Sequence, residues 1–118
     1  MIMALHHAQH GEIVHLSDLG VGGDDAHTTA LVKTEAFEAI HLIVHAGAVI
    51  PPHHVAGQAT LHCLRGRVSV LLGAATAVLR ASDWMYLDGG EEHGIEGIED
   101  AALLLTILFE HPTVSTVS

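Results

Sequence analysis

Three histidines fall within the segment IPPHHVAGQATLHCLRG, which spans residues 50–66 and otherwise consists largely of small, apolar and turn-forming residues. They are His53, His54 and His62. Imidazole is a common metal ligand and a common general base, so the segment is a candidate for either chemistry. The chain has 12 histidines among its 118 residues, so no histidine is informative by itself. Whether these histidines form a site depends on the secondary-structure elements that position them.

Those elements are predicted to be β-strands. Short apolar runs alternate with turn-forming residues from about residue 29, a pattern typical of a β-sandwich or barrel. The predicted strands are 29–33, 38–45, 59–64, 67–72, 76–80, 84–87, 93–98 and 101–109. For the segment VKTEAFEAI, residues 32–40, a helical turn is the alternative to strand structure. Residues 1–28 are predicted to be an irregular N-terminal segment and residues 29–118 a single domain.

Alternation along the predicted strands indicates which side chains share a face. Leu61 and Cys63 fall on one face, which we expect to point inward, and His62 falls on the other. Trp84 and Tyr86 also share a face, where they form either a wall of a ligand pocket or part of an interface.

Composition limits the partners. There are 14 acidic residues against 4 lysines and arginines, giving a net charge of −10 that disfavours nucleic acids and anionic membranes. A small molecule or a metal ion fits better. With 49% hydrophobic residues and a mean hydropathy of +0.41, the chain is also expected to form a homodimer that covers apolar surface. A lone cysteine and the lack of a signal-peptide pattern favour a cytoplasmic location.

Two spaced motifs give the chain a family resemblance. Gly47 is followed after five residues by His53 and then, in register, by Gly66, while Gly90 precedes His93 in the segment DGGEEHGIEG. This arrangement over roughly residues 29–110 resembles the small single-domain bacterial cupins. The resemblance implies an all-β fold, a double-stranded β-helix or jelly-roll-like barrel of two antiparallel sheets. It also implies a homodimer.

The departures from the cupin motifs concern the metal. The resemblance implies three histidines and one carboxylate as ligands, but Val55 and Ala59 occupy two of these positions. His53 and His93 remain. A divalent transition metal (Zn, Ni, Fe, Mn or Cu) would therefore need further ligands, for which the candidates are His54, Gln58 and His62. The other interpretation is that no metal is bound.

Two function classes are consistent with these residues. One is a binding protein that holds a small molecule in the barrel, and the other is a metal-dependent cupin enzyme of the dioxygenase or isomerase type. No catalytic residue is assigned, because no Ser-His-Asp motif, phosphate-binding loop or carboxylate pair stands out. The predicted pocket residues are His53, His93, Gln58, Leu61, Cys63, Trp84 and Tyr86.

Several histidines are predicted to lie away from the pocket. His41 and His45 share a strand face that we expect at an interface or in solvent. His6, His7 and His10 form an N-terminal cluster that could chelate metal adventitiously.

Overall fold

The computed structural model describes residues 2–3, 7–20, 27–53 and 56–109, with residues 2, 3 and 53 described by their backbone alone. Within these ranges the chain is almost entirely β-structure with one short 3₁₀ helix, Leu16–Leu19. The strands are β1 (Ile2–Met3), β2 (Thr28–Lys33), β3 (Phe37–Val44), β4 (Val49–His53), β5 (Ala59–Arg65), β6 (Arg67–Leu72), β7 (Ala75–Arg80), β8 (Trp84–Leu87), β9 (His93–Gly97) and β10 (Ala101–Leu108).

The strands form two facing sheets. The larger has the order β1-β2-β3-β10-β5-β8 and the smaller has the order β4-β9-β6-β7. All pairs are antiparallel except the short parallel pair of β1 with β2. The prediction of an all-β fold with two antiparallel sheets is confirmed.

The helical alternative for residues 32–40 is wrong. These residues form the end of β2, a tight turn and the start of β3. The Thr34 amide donates to the Phe37 carbonyl over 2.8 Å, and the Thr34 hydroxyl accepts hydrogen bonds from the amides of Ala36 and Phe37. A threonine side chain that satisfies turn amides in this way favours a hairpin over a helix.

Strand β4 was not among the predicted strands, because Pro51 and Pro52 indicated a break. β4 is an edge strand, where a missing N–H costs little, and its register with β9 shifts between Ile50 and His53. The two prolines are thus accommodated as an irregularity within the strand.

The core lies between the two sheets and takes residues from both. Five of its apolar side chains larger than alanine have no exposed surface, and burial of such side chains contributes roughly 1.5–3 kcal/mol each for the larger ones. They are Leu61, Cys63, Val68, Val70 and Leu103. The Cys63 thiol contacts the carbonyl oxygens of Arg65 and Gly66, and burial raises its pKa. These features fit a packing role for this side chain.

The N-terminal segment covers part of the outer face of the six-stranded sheet. The Ala8 amide donates to the Leu31 carbonyl, and Leu16 lies over the sheet near His41. His41 is only 1% exposed, so its predicted place in solvent or at an interface is wrong: its own chain covers it. His45, on the same strand face, is exposed.

In the part of the chain that the structure describes, no helix is long and apolar enough to cross a membrane.

Candidate ligand-binding site

A cavity of about 390 Å³ lies between the sheets, bordered in part by core residues such as Leu61 and Ile95. Both sheets contribute to it. Its lining residues are Thr28, Ile40, Leu42, Ile43, Ile50, Leu61, Leu87, His93, Ile95, Leu105 and Ile107. Nine of these are aliphatic, Thr28 and His93 are polar, and His93 alone among them can ionise. A concave, mainly apolar cavity with one or two polar groups is the usual form of a small-molecule site.

His93 is the principal polar group of this cavity. It begins β9 and is 6% exposed. Its Nδ1 lies 3.3 Å from the Glu91 carbonyl oxygen. Since a carbonyl oxygen can only accept, this hydrogen bond requires the proton on Nδ1, and in the neutral ring Nε2 then carries the lone pair. The loop before β9 therefore selects the tautomer whose Nε2 can accept a hydrogen bond or ligate a metal.

His53 is placed beside His93 by the backbone. The two are directly paired in the antiparallel register of β4 with β9, forty residues apart in sequence. Gly94 allows the strands to come this close, because a Cβ there would lie 2.9 Å from the Ile50 carbonyl oxygen and 3.0 Å from the Pro52 nitrogen. The register thus brings together the two cupin-motif histidines.

Two other predicted pocket residues face inward, but only one lines the cavity. Both belong to the core, but Leu61 also borders the cavity and Cys63 does not. Ala59, at the position of the family's glutamate, is also buried, at 1% exposure. A methyl group thus stands where a carboxylate ligand would be expected.

The remaining predicted pocket residues are exposed. Gln58 donates from Nε2 to the Tyr86 hydroxyl over 2.8 Å, and that hydroxyl donates to Asp88 Oδ1 over 2.6 Å. The bond to Asp88 raises the pKa of the Tyr86 phenol. Trp84 and Tyr86 are 60% and 46% exposed, because the inward positions of β8 are taken by Met85 and Leu87.

The additional metal-ligand candidates that the structure describes, Gln58 and His62, do not line the cavity. His62 alternates with the inward-facing Leu61 and Cys63 and is paired with Trp84 on the other face. His54 lies outside the described residues, as does His6 of the N-terminal cluster.

The side chains that the structure describes do not form a complete cupin metal centre. Among the residues whose side chains are described, no group of three or more His, Cys, Asp or Glu is positioned to hold an ion. The pair His53 and His93 would supply two ligands, whereas a stable site needs three or four from the protein.

Sequence reasoning missed most of the cavity wall. Ile40 and Leu42 on β3, with Leu105 and Ile107 on β10, line it. Alternation in AIHLIVH places Ile40 and Leu42 on one face, so part of the signal was present. The sequence pattern could not distinguish side chains that fill the core from side chains that border empty space.

The comparison with solved structures identifies the fold. No family model matches the chain, and no curated protein matches its sequence. A conserved protein of unknown function from Streptococcus pyogenes superposes with a TM-score of 0.78 at 16% identity, covering 92% of this chain and 96% of its own. A cupin superfamily protein from Desulfitobacterium hafniense gives 0.76 at 14% identity, over 88% and 95%. An RmlC-like cupin from Shewanella frigidimarina gives 0.65 at 18% identity, over 69% and 73%.

The chain therefore has the cupin fold, a double-stranded β-helix. The expectation drawn from the spaced glycines and histidines is confirmed at the level of fold. Because this fold supports many chemistries, the function has to be argued from the cavity itself.

Proposed function

We propose that this protein binds a small, mainly apolar molecule in the cavity between its sheets, with His93 making the principal polar contact. The observation that carries the proposal is the composition of the wall: aliphatic side chains from both sheets surround a space of about 390 Å³ beside one buried imidazole. An apolar cavity of this kind gains little from water and is stabilised by an apolar occupant.

The lining also defines the chemistry of the ligand. His93 is the ionisable group among the cavity's lining residues, and no lining side chain carries a permanent charge. Burying a charged ligand there would therefore be costly, because no full opposite charge would pair with it. A neutral molecule with an aliphatic body and one hydroxyl or carbonyl group fits best. The hydroxyl would donate to Nε2 of His93 in the tautomer that the Glu91 carbonyl selects.

His53 extends the polar end of this site in the proposal. Directly opposite residues of an antiparallel pair share a face of the sheet, and the register pairs His53 with His93. The two imidazoles would then hold one ligand group between them. If a divalent ion enters the same place, it competes with the ligand for both rings.

Cyclohexanol binding tests the proposal, with cyclohexane and cyclohexanecarboxylate as companions. We expect cyclohexanol to bind most tightly, since it combines an aliphatic ring with one hydroxyl. Leu105→Phe fills the cavity and should remove binding. Its control is Leu104→Phe, which adds the same ring at the neighbouring position, where alternation turns the side chain to the other face of β10. Tightest binding of the carboxylate, or equal binding in both variants, would contradict the proposal.

The metal-dependent enzyme is the second candidate, favoured by the pairing of the two histidines. It is tested in the full chain carrying His6→Gln, His7→Gln and His10→Gln, which removes the N-terminal cluster. Stoichiometric metal that survives these changes and is lost in His93→Ala would favour the enzyme over the simple binding protein.

A further inference from the structure

A second cavity, of about 180 Å³, lies on the outer face of the six-stranded sheet beneath the N-terminal segment. It is separate from the cavity between the sheets and shares no lining residue with it. The lining residues are Leu16, Ser17, Gly20, His41, Leu64, Arg65 and Ala102. Two of them, His41 and Arg65, carry nitrogen donors of the kind that bind oxyanions.

A β-bulge brings Arg65 to this face. Ala102 is paired with Arg65 while its neighbour Leu103 is paired with Cys63, so Leu64 is an extra residue in β5. Without this shift, Arg65 would follow the inward parity of Cys63. Bulges commonly redirect a side chain in this way. Ala102, paired on its other side with Ile43, has a methyl group that leaves room above it.

His41 is buried and polar but incompletely satisfied. It is 1% exposed, and its Nδ1 has no hydrogen-bond partner among the described residues. Leaving a buried polar nitrogen unpaired costs roughly 1–3 kcal/mol, so a group that pairs with it would be stabilising.

Arg65 adds a positive charge beside this imidazole. Desolvation by burial, together with this charge, lowers the pKa of His41. Within the ranges whose side chains are described, no carboxylate forms an ion pair with Arg65. Arg65 is also exposed, so the cavity is accessible from solvent. A positive charge, an unpaired buried nitrogen and the Ser17 hydroxyl therefore border one space, and no described carboxylate pairs with Arg65 there.

We propose that this outer cavity binds a small oxyanion, a phosphate or carboxylate group, between Arg65 and His41. Arg65 donates charge-assisted hydrogen bonds to the anion, which are stronger than neutral ones. His41 donates from Nδ1, which the empty cavity leaves unpaired. Ser17 donates a third hydrogen bond, linking the occupancy of the cavity to the position of the 3₁₀ helix.

The test follows the His41 imidazole by NMR, with its resonances assigned by their loss in His41→Gln. The full-length protein is titrated with sodium phosphate and, separately, with sodium acetate, at an ionic strength held constant with sodium chloride. We expect a saturable shift of the His41 resonances and a higher His41 pKa in the oxyanion than in chloride. The two titrations distinguish a phosphate group from a carboxylate group as the ligand.

Variants of Arg65 decide whether the response belongs to this cavity. Arg65→Gln should raise the dissociation constant at least about tenfold, the effect of losing a charge-assisted hydrogen bond. Arg65→Lys should retain part of the affinity, because it keeps the charge without the planar geometry. Arg80→Gln on β7 is the matched control and should change nothing. The absence of a saturable His41 response to either oxyanion, or equal responses in Arg65→Gln and Arg80→Gln, would overturn the proposal.

Discussion

His53 and His93 are directly opposite each other across the antiparallel pair of β4 and β9. The close approach of these strands depends on a glycine at position 94, and the tautomer of His93 depends on a carbonyl in the preceding loop. Both supports are backbone features. The backbone positions of the two histidines and the ring of His93 are thus fixed by strand register and chain path.

The first prediction concerns the polar contact of His93. His93→Leu should remove the principal polar group of the cavity and weaken cyclohexanol binding by about five- to tenfold, the value of one net hydrogen bond. Cyclohexane binding should be nearly unchanged. His62→Leu, on the outer face of the neighbouring sheet, is the control and should leave both affinities as they are. Calorimetric titration measures them, and an equal loss for both ligands would indicate a packing role for His93.

The second prediction concerns Gly94. Gly94→Ala places a methyl group against the backbone of β4, and overpacking of this kind costs about 1–3 kcal/mol in the free energy of unfolding. Because the added group pushes β4 away from β9, ligand binding should weaken as well. Glu96→Ala, at an exposed position of the same strand, should change stability by less than about 0.5 kcal/mol. Urea unfolding of the two variants provides the comparison.

The third prediction is a pH dependence of stability from His41. Its ordinary pKa is 6.5, and burial together with the Arg65 charge lowers it in the folded protein. The unfolded chain therefore binds a proton more readily than the folded one. The contribution of neutral His41 to the free energy of unfolding is complete above pH 6.5 and is lost as the pH falls toward the pKa of His41 in the folded protein. The free energy of unfolding then falls by at most about 1.4 kcal/mol per pH unit for one proton.

Arg65 is the charged group facing His41 from β5, while Ala102 on β10 and the N-terminal residues Leu16, Ser17 and Gly20 are uncharged. His41→Met should thus flatten the decline of unfolding free energy with pH. Identical pH profiles for the wild type and His41→Met would contradict this assignment.

The fourth prediction is that the protein forms a homodimer through the outer face around β8, where Trp84 is 60% and Tyr86 46% exposed. A stable dimer interface buries at least about 1,200 Å² in total, and aromatic side chains of this kind are enriched at such interfaces. Trp84→Glu should give a monomer in sedimentation at micromolar concentration. Val78→Glu, at a 46% exposed position on β7, should remain dimeric. A wild-type species near 12.4 kDa would refute the prediction.

Much of the fold could be predicted because side-chain alternation and turn residues are local signals. Alternation in β5 correctly placed Leu61 and Cys63 inside and His62 outside. β4 was missed because the cost of proline depends on whether a strand lies at an edge, which is a property of the sheet. The placement of Trp84 and Tyr86 on the outside likewise depends on which face of β8 meets the second sheet.

The sites were harder to predict than the strands. Motif spacing alone suggested that His53 and His93 meet, and the register pairs their backbones. The outer cavity had no sequence signal, since it depends on a one-residue bulge at Leu64 and on an N-terminal segment folding back over His41. Both are long-range effects that a linear pattern does not contain.

Pro51 and Pro52 also govern how this protein can associate. An exposed edge strand is a template onto which another chain can add a strand, the first step toward fibrous aggregates. Successive N–H groups of a strand point to opposite hydrogen-bonding edges of that strand. Of two adjacent prolines, one therefore always lacks the N–H group that would point outward to an added strand. This edge of the four-stranded sheet is therefore protected against growth by strand addition.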